Sequence, residues 1–142
     1  KLEIKPNSSF IISYHALLCF TENLEIKTKG NFKGIFVQEG LFQIKVTNNS
    51  NKLGAVWLSA FGGYSKKIIG ANESFKLDNG LFLASEESVK YNITKLGTIK
   101  TALLSGEGFL MEFNGPCSIY YMGRNINTLD NYIAHIARRV RN

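Results

Sequence analysis

Apolar residues recur at every second position along most of this chain, and that period confines it to β-strands. Phe42, Ile44 and Val46 alternate with Gln43 and Lys45, and Val89, Tyr91 and Ile93 alternate with Lys90, Asn92 and Thr94. Phe109, Met111 and Phe113 form a third set, and Leu24, Ile26 and Thr28 oppose Glu25 and Lys27. Successive strand side chains point to opposite faces, so this pattern buries one face and wets the other. Phe10–Tyr14 and Ile119–Met122 carry apolar residues on both faces, which predicts strands covered on both sides. Glycines punctuate the strands. Asp78-Asn79-Gly80 reads as a hairpin turn, because Asn and Gly tolerate positive φ. Asn114-Gly115-Pro116 and Phe61-Gly62-Gly63 read as further turns, and Gly40, Gly106 and Gly108 as turn glycines. No segment before residue 127 has a helical period, so the fold class is all-β.

The strands repeat. Gln38-Glu39-Gly40-Leu41-Phe42 matches Gly106-Glu107-Gly108-Phe109-Leu110, which aligns Glu39 with Glu107. Further on, Ala55-Val56-Trp57-Leu58 matches Ser118-Ile119-Tyr120-Tyr121, and upstream Ser9–Ser13 matches Leu81–Ser85. The element order is the same while the spacing between matched segments drifts, as loops of different length would produce. Residues 1–72 and 73–126 are read as two copies of one β unit within one compact domain.

The end of the chain changes period. Leu129, Ile133, Ile136 and Val140 are spaced i, i+4, i+7, i+11, which predicts an amphipathic helix over 127–142. Thr128 suits the N-cap and Asp130 the first turn, while Arg138, Arg139 and Arg141 suit the C-terminal end of the dipole. The apolar side of this helix (Leu129, Ile133, Ile136), with the three arginines, is the expected contact surface for a partner.

Composition excludes little but sets a charge. Seventeen basic against eleven acidic residues give a net +6 over 142 residues, compatible with an anionic partner, although most lysines sit singly between apolar residues as on solvated strand faces. No apolar run reaches the roughly 18–20 residues of a spanning helix. Cys19 and Cys117 fit no CxxC pattern and each lies in an apolar stretch, which predicts free, buried thiols and a reducing compartment. The sequons at Asn7, Asn48, Asn72 and Asn92 carry no weight in so Asn-rich a chain.

Catalytic constellations are hard to assemble. Glu39 and Glu107 occupy equivalent repeat positions but precede turn glycines and have no nucleophile or base beside them. His15 and His135 are the two histidines, too few for the clustered ligands of a metalloenzyme on a double-stranded β-helix. No Ser stands in a Gly-x-Ser-x-Gly elbow, and Gly106-Glu107-Gly108 lacks the Lys-Ser/Thr pair and following helix of a phosphate loop. The expectation is no enzyme, no metal and no cofactor.

A run of motifs carries a family resemblance. Phe75–Gly80 through Ser85, Val89–Ile93, Leu103–Phe109, Phe113-Asn114-Gly115-Pro116 and Ile119–Tyr121 together resemble the altered-inheritance-of-mitochondria (mitochondrial biogenesis) family over most of residues 5–125. Gly-Glu-Gly followed by Asn-Gly-Pro is the most specific part. The resemblance implies TRAP-like units (tryptophan RNA-binding attenuation protein-like), short double-stranded β-helices that the family carries in threes. Two are present here, and the resemblance places a further one upstream of Lys1. Ser105 departs from a usual glycine, and the basic tail has no family counterpart. The resemblance further implies a mitochondrial location, peripheral to a membrane, with a cytoplasmic one otherwise. The leading expectation is a non-enzymatic scaffold or interaction protein, a homo-oligomer or bound to a protein partner, with peripheral membrane contact. Two alternatives stand beside it. One is RNA binding through aromatics interleaved with lysines, such as Tyr64-Ser65-Lys66-Lys67 and Lys90-Tyr91. The other is carriage of a small apolar ligand within the β units.

Overall fold

The computed structural model describes residues 1–29, 43–95 and 109–140. Those residues form twelve strands and one helix. The first six strands are β1 (Leu2–Ile4), β2 (Ser8–Ser13), β3 (Leu17–Phe20), β4 (Glu25–Lys29), β5 (Gln43–Asn48) and β6 (Gly54–Leu58). The second six are β7 (Tyr64–Ile69), β8 (Ser74–Asp78), β9 (Phe82–Glu86), β10 (Tyr91–Lys95), β11 (Phe109–Asn114) and β12 (Cys117–Met122), and α1 (Ile126–Val140) follows. The all-β class and the C-terminal helix are as expected from sequence, except that α1 begins ahead of Thr128, which lies in its first turn and not at its cap. Gly40, Gly106, Gly108, Glu39, Glu107 and Arg141 lie outside the described residues.

Three antiparallel sheets result: β1-β6-β3, β10-β11-β8, and a six-stranded sheet in the order β4-β5-β2-β9-β12-β7. The strand pattern of the first half recurs in the second. β4-β5-β2 corresponds to β10-β11-β8, and β1-β6-β3 to β7-β12-β9. The ladders agree in register: Ile12 faces Ile44 as Leu77 faces Met111, and Ile4 faces Gly54 as Ile69 faces Cys117. A register shift separates Leu17 from Cys19 on β3, and the same shift separates Phe82 from Ala84 across β12. Among the described residues, the two non-glycine residues at positive φ, Asn7 and Asn72, are counterparts as well.

This correspondence corrects one of the sequence matches. Phe10 is the counterpart of Phe75, not of Phe82, and Phe82 is the counterpart of Leu17. The second copy therefore opens at Tyr64, ahead of the 72/73 division that the matches suggest. Val56 and Ile119, matched from sequence, are true counterparts.

Each copy has its own apolar core, and the two cores correspond side chain by side chain. Ile4, Ile12, Leu24, Ile44, Val46 and Val56 fill the first; Ile69, Leu77, Val89, Met111, Phe113 and Ile119 fill the second. Two residues cross over. Ala84 from the second copy belongs to the first core, and Ile11 from the first copy belongs to the second. Ile11 and its neighbours Phe10 and Ile12 point to opposite faces of β2, so the cores lie on opposite faces of the six-stranded sheet. β2 and β9 pair at its centre and are buried from both sides.

Polar groups close the ends. Asn48 is fully buried. Its amide donates to the carbonyls of Ile4 (2.9 Å) and Lys52 (2.8 Å), and its oxygen accepts from the Ser50 backbone (3.0 Å) and hydroxyl (2.7 Å). With every hydrogen-bonding position engaged, Asn48 is closed to modification in the folded chain. Asp78-Asn79-Gly80 is not a hairpin: β8 and β9 belong to different sheets. Instead Asn79–Leu81 form one 3-10 turn, held by Gly80 N–H donating to the Asp78 carboxylate at 2.7 Å. The cis Gly115–Pro116 bond carries the chain from β11 into β12. The Phe61-Gly62-Gly63 turn is confirmed, with both glycines at positive φ.

Phe113, buried completely, stacks on Phe82 at 5.9 Å and packs on Tyr91 at 5.6 Å. Phe113→Ala is expected to cost about 3–5 kcal/mol, read as a lowered urea midpoint. Tyr91 donates its hydroxyl to Gln43 Oε1 at 2.7 Å, and burial raises its pKa above the ordinary value. A phenol with a raised folded-state pKa is ionised first in the unfolded chain. Its contribution is therefore full below the ordinary tyrosine range and is lost as pH climbs through the raised value. Urea midpoints measured from about pH 8 to about pH 11 should fall less steeply in Tyr91→Phe. At the lower pH that variant should be about 1–2 kcal/mol less stable, because Gln43 Oε1 loses its donor.

Candidate interaction surface

The helix predicted as a contact surface stands with its apolar side uncovered. Leu129, Tyr132, Ile133, Ile136 and Val140 are all exposed, Ile133 by 54% and Val140 by 83%. Arg138 and Arg139 are exposed as well. Hydrogen bonds fix the helix base to the β domain. Gly123 N–H donates to Gly63 O (3.1 Å), Arg124 N–H to Phe61 O (3.1 Å), and the Asn125 amide to the Asp78 carboxylate (3.3 Å). Gly62, at φ +72°, leaves room for the Arg124 side chain, which a Cβ there would meet at 2.6 Å. A depression of about 430 Å³ at this base is lined by Phe61, Arg124, Asn125, Leu129 and Tyr132.

A second exposed apolar surface was not singled out from sequence. On the outer face of β1-β6-β3, Cys19 stands opposite Trp57, and both are exposed, with the Lys1 ammonium 6.0 Å from the indole. Leu18 and Phe20, the chain neighbours of Cys19 on β3, are also exposed. The repeat gives this surface a meaning. The counterparts of Cys19 and Trp57 are Ala84 and Tyr120, which face each other on β9 and β12 and pack against the first copy's core. The first copy therefore exposes the surface with which the second copy closes its neighbour.

The strand edges agree. β1, β4, β7 and β10 end a sheet in both copies, but β3 and β8 end a sheet only where their counterparts β9 and β2 are paired to each other. Among the described residues, unpaired edge groups and an apolar face thus coincide on β3, and β8 offers the matching edge.

The other candidate residues are not brought together. His15 is exposed in the 3-10 turn Tyr14–Ala16, against the Tyr14 ring. Among the described residues no three His, Cys, Asp or Glu side chains are placed to share a metal ion. Cys19 and Cys117 are both free, but neither is buried as expected: Cys19 is exposed and Cys117 only partly covered. Burial raises the Cys117 thiol pKa. Of the aromatics proposed for stacking bases, Tyr64 is exposed, whereas Tyr91 is half-buried and bonded to Gln43. Lys66 lies over the Tyr120 ring and Lys67 over Phe75, at 5.5 and 5.6 Å.

No curated protein matches the chain in sequence. Among solved structures, a Streptococcus pyogenes protein determined by X-ray crystallography is similar in fold, with a TM-score of 0.75 at 18% identity. The similarity covers 95% of this chain and 59% of the streptococcal one, so the chain spans well under two thirds of that relative. At that identity the likeness is one of fold alone. Sequence places the family more firmly: the model of the mitochondrial biogenesis AIM24 family matches residues 1–124, the whole of both β copies. By that match the chain belongs to the mitochondrial biogenesis AIM24 family.

Proposed function

We propose that the chain is a non-enzymatic scaffold that assembles with further copies of its own β unit and supports mitochondrial organisation from a position peripheral to a membrane. The observation that carries this is the pairing of β2 with β9. Within the chain, Phe10, Ile11 and Ile12 stand opposite Glu86, Ser85 and Ala84. Carrying that register to the counterparts sets Phe75, Lys76 and Leu77 of β8 opposite Thr21, Phe20 and Cys19 of β3 on another copy. The same step lays Cys19 and Trp57 over a neighbouring core, as Ala84 and Tyr120 lie in the chain itself. Such a contact is head-to-tail, and it closes into a ring or extends according to its rotation.

Neither alternative has an observation of that kind behind it. An RNA surface built from stacked aromatics loses Tyr91 to burial and finds Lys66 and Lys67 already over aromatic rings. An apolar carrier would use the interior of the β units, where Ile12, Val46, Met111 and Phe113 are themselves buried.

Sedimentation velocity over a concentration series tests the assembly. The chain should associate, and Cys19 should lose reactivity toward a thiol reagent in the associated fraction while Cys117 serves as internal reference. Trp57→Glu, placed on an exposed position, should weaken association about 30-fold or more by burying an unpaired charge. A chain that stays monomeric at every concentration, with Cys19 fully reactive, would sink the proposal.

A further inference from the structure

We infer that α1 is an interfacial anchor that lies flat on an anionic lipid surface. The helix alone carries this, independently of the β3 and β8 edges. At about 100° per residue, Tyr132, Ile136, Leu129, Val140 and Ile133 fall within an arc of roughly 100°. All five are exposed. They alternate along the axis, so the arc runs the full length of the helix without a polar break among the described side chains.

Cations sit at both ends of this stripe. Arg124 lines the depression at the helix base together with Leu129 and Tyr132. Arg139 lies near the far end, only about 20° beyond Tyr132, whereas Arg138 lies on the opposite side of the helix. A long Arg stem beside an apolar stripe covers hydrocarbon while its guanidinium reaches the headgroup level, where phosphates and carboxylates are the available partners. Tyr132 has the same amphipathic character at the border of the arc. The chain as a whole carries +6, so a surface of negative potential attracts it before the stripe inserts.

The dimensions fit a helix that lies on a bilayer and does not cross it. Fifteen residues span about 22 Å, short of the roughly 30 Å hydrocarbon core, and no described helix is long and apolar enough to cross. The base hydrogen bonds to Gly63, Phe61 and Asp78 tie the helix to the sheets. Docking it on a surface therefore orients the β domain above that surface.

Vesicle flotation of the 142-residue chain tests this. Phosphatidylcholine vesicles containing about 30 mol% phosphatidylserine should carry the chain upward, pure phosphatidylcholine vesicles should carry much less, and added salt should release it. Ile133→Asp should abolish flotation, and Ile133→Ala should weaken it. Arg139→Glu changes the charge by two next to the stripe and should weaken partitioning roughly 30-fold, distinctly more than Arg138→Glu. Trp57→Glu should float like the parent chain, which separates this surface from the assembly contact. Ile133 is exposed, so its variants should keep the parent's urea midpoint. The inference is overturned if the chain fails to float, if it floats equally with and without phosphatidylserine, or if Ile133→Asp floats unchanged. It is equally overturned if Ile133→Asp alters the sedimentation of the lipid-free chain, because a second copy then covers the stripe.

Discussion

The antiparallel pairing of β2 with β9 is the contact on which the rest of this structure depends. It fuses two three-stranded ladders into one six-stranded sheet, and it does so at the place where each copy lacks something. Through it Ala84 enters the first core and Ile11 the second. Tyr120, beside β9, covers the first core from the same direction. Without this exchange β2 and β9 would each present an unpaired edge, and both cores would be open to water along one side. Backbone hydrogen bonds and apolar burial act together there, since an edge that is paired but unpacked, or packed but unpaired, leaves part of the cost of burial unmet.

The same logic explains which surfaces stay exposed. A unit that closes its neighbour's core with one face must itself be closed by another unit, and two units can satisfy that requirement once. The surplus appears at opposite ends of the arrangement, as the β3 edge with Cys19 and Trp57 and as the β8 edge with Phe75 to Leu77. An exposed tryptophan in an otherwise ordered sheet is thereby accounted for by the topology.

Much of this was legible in the residues, and the failures have physical causes. Strands of alternating polarity, such as Gln43–Asn48 and Phe109–Asn114, announce themselves by that alternation, and the stripe from Leu129 to Val140 announces a helix. The match of Ser9–Ser13 with Leu81–Ser85 misled because β2 and β9 are both central and buried on both faces. Their shared apolar character records a common environment, not a common place in the repeat. Phe75, the real counterpart of Phe10, was hidden because β8 is an edge strand with Ser74 and Lys76 facing solvent. Asp78-Asn79-Gly80 has the composition of a hairpin turn, but local chemistry cannot say whether the strands it joins will pair, and here Asp78 instead caps a turn between sheets. Ala55-Val56-Trp57-Leu58 matches Ser118-Ile119-Tyr120-Tyr121 in sequence, yet Trp57 is exposed while its counterpart Tyr120 packs against a core. An apolar residue meant for a core and one meant for a contact look identical until the neighbours are known.

The two exposed apolar surfaces therefore differ in origin. That on β3 follows from the repeat: any chain built from this unit exposes it at an unclosed end, and its chemistry matches the edge of another such unit. The stripe on α1 does not follow from the repeat, because neither copy contains a second such helix among the described residues, and it begins after residue 124, where the family match stops. Its occupant must be sought from its own chemistry, an apolar arc with a guanidinium at either end, which no edge of the β unit complements. A strand edge asks for backbone groups in register, whereas a helix with its backbone already satisfied asks only for hydrocarbon and negative charge. On the proposed reading, assembly would use the β3 edge and surface attachment the α1 stripe, so the two would not compete for the same face.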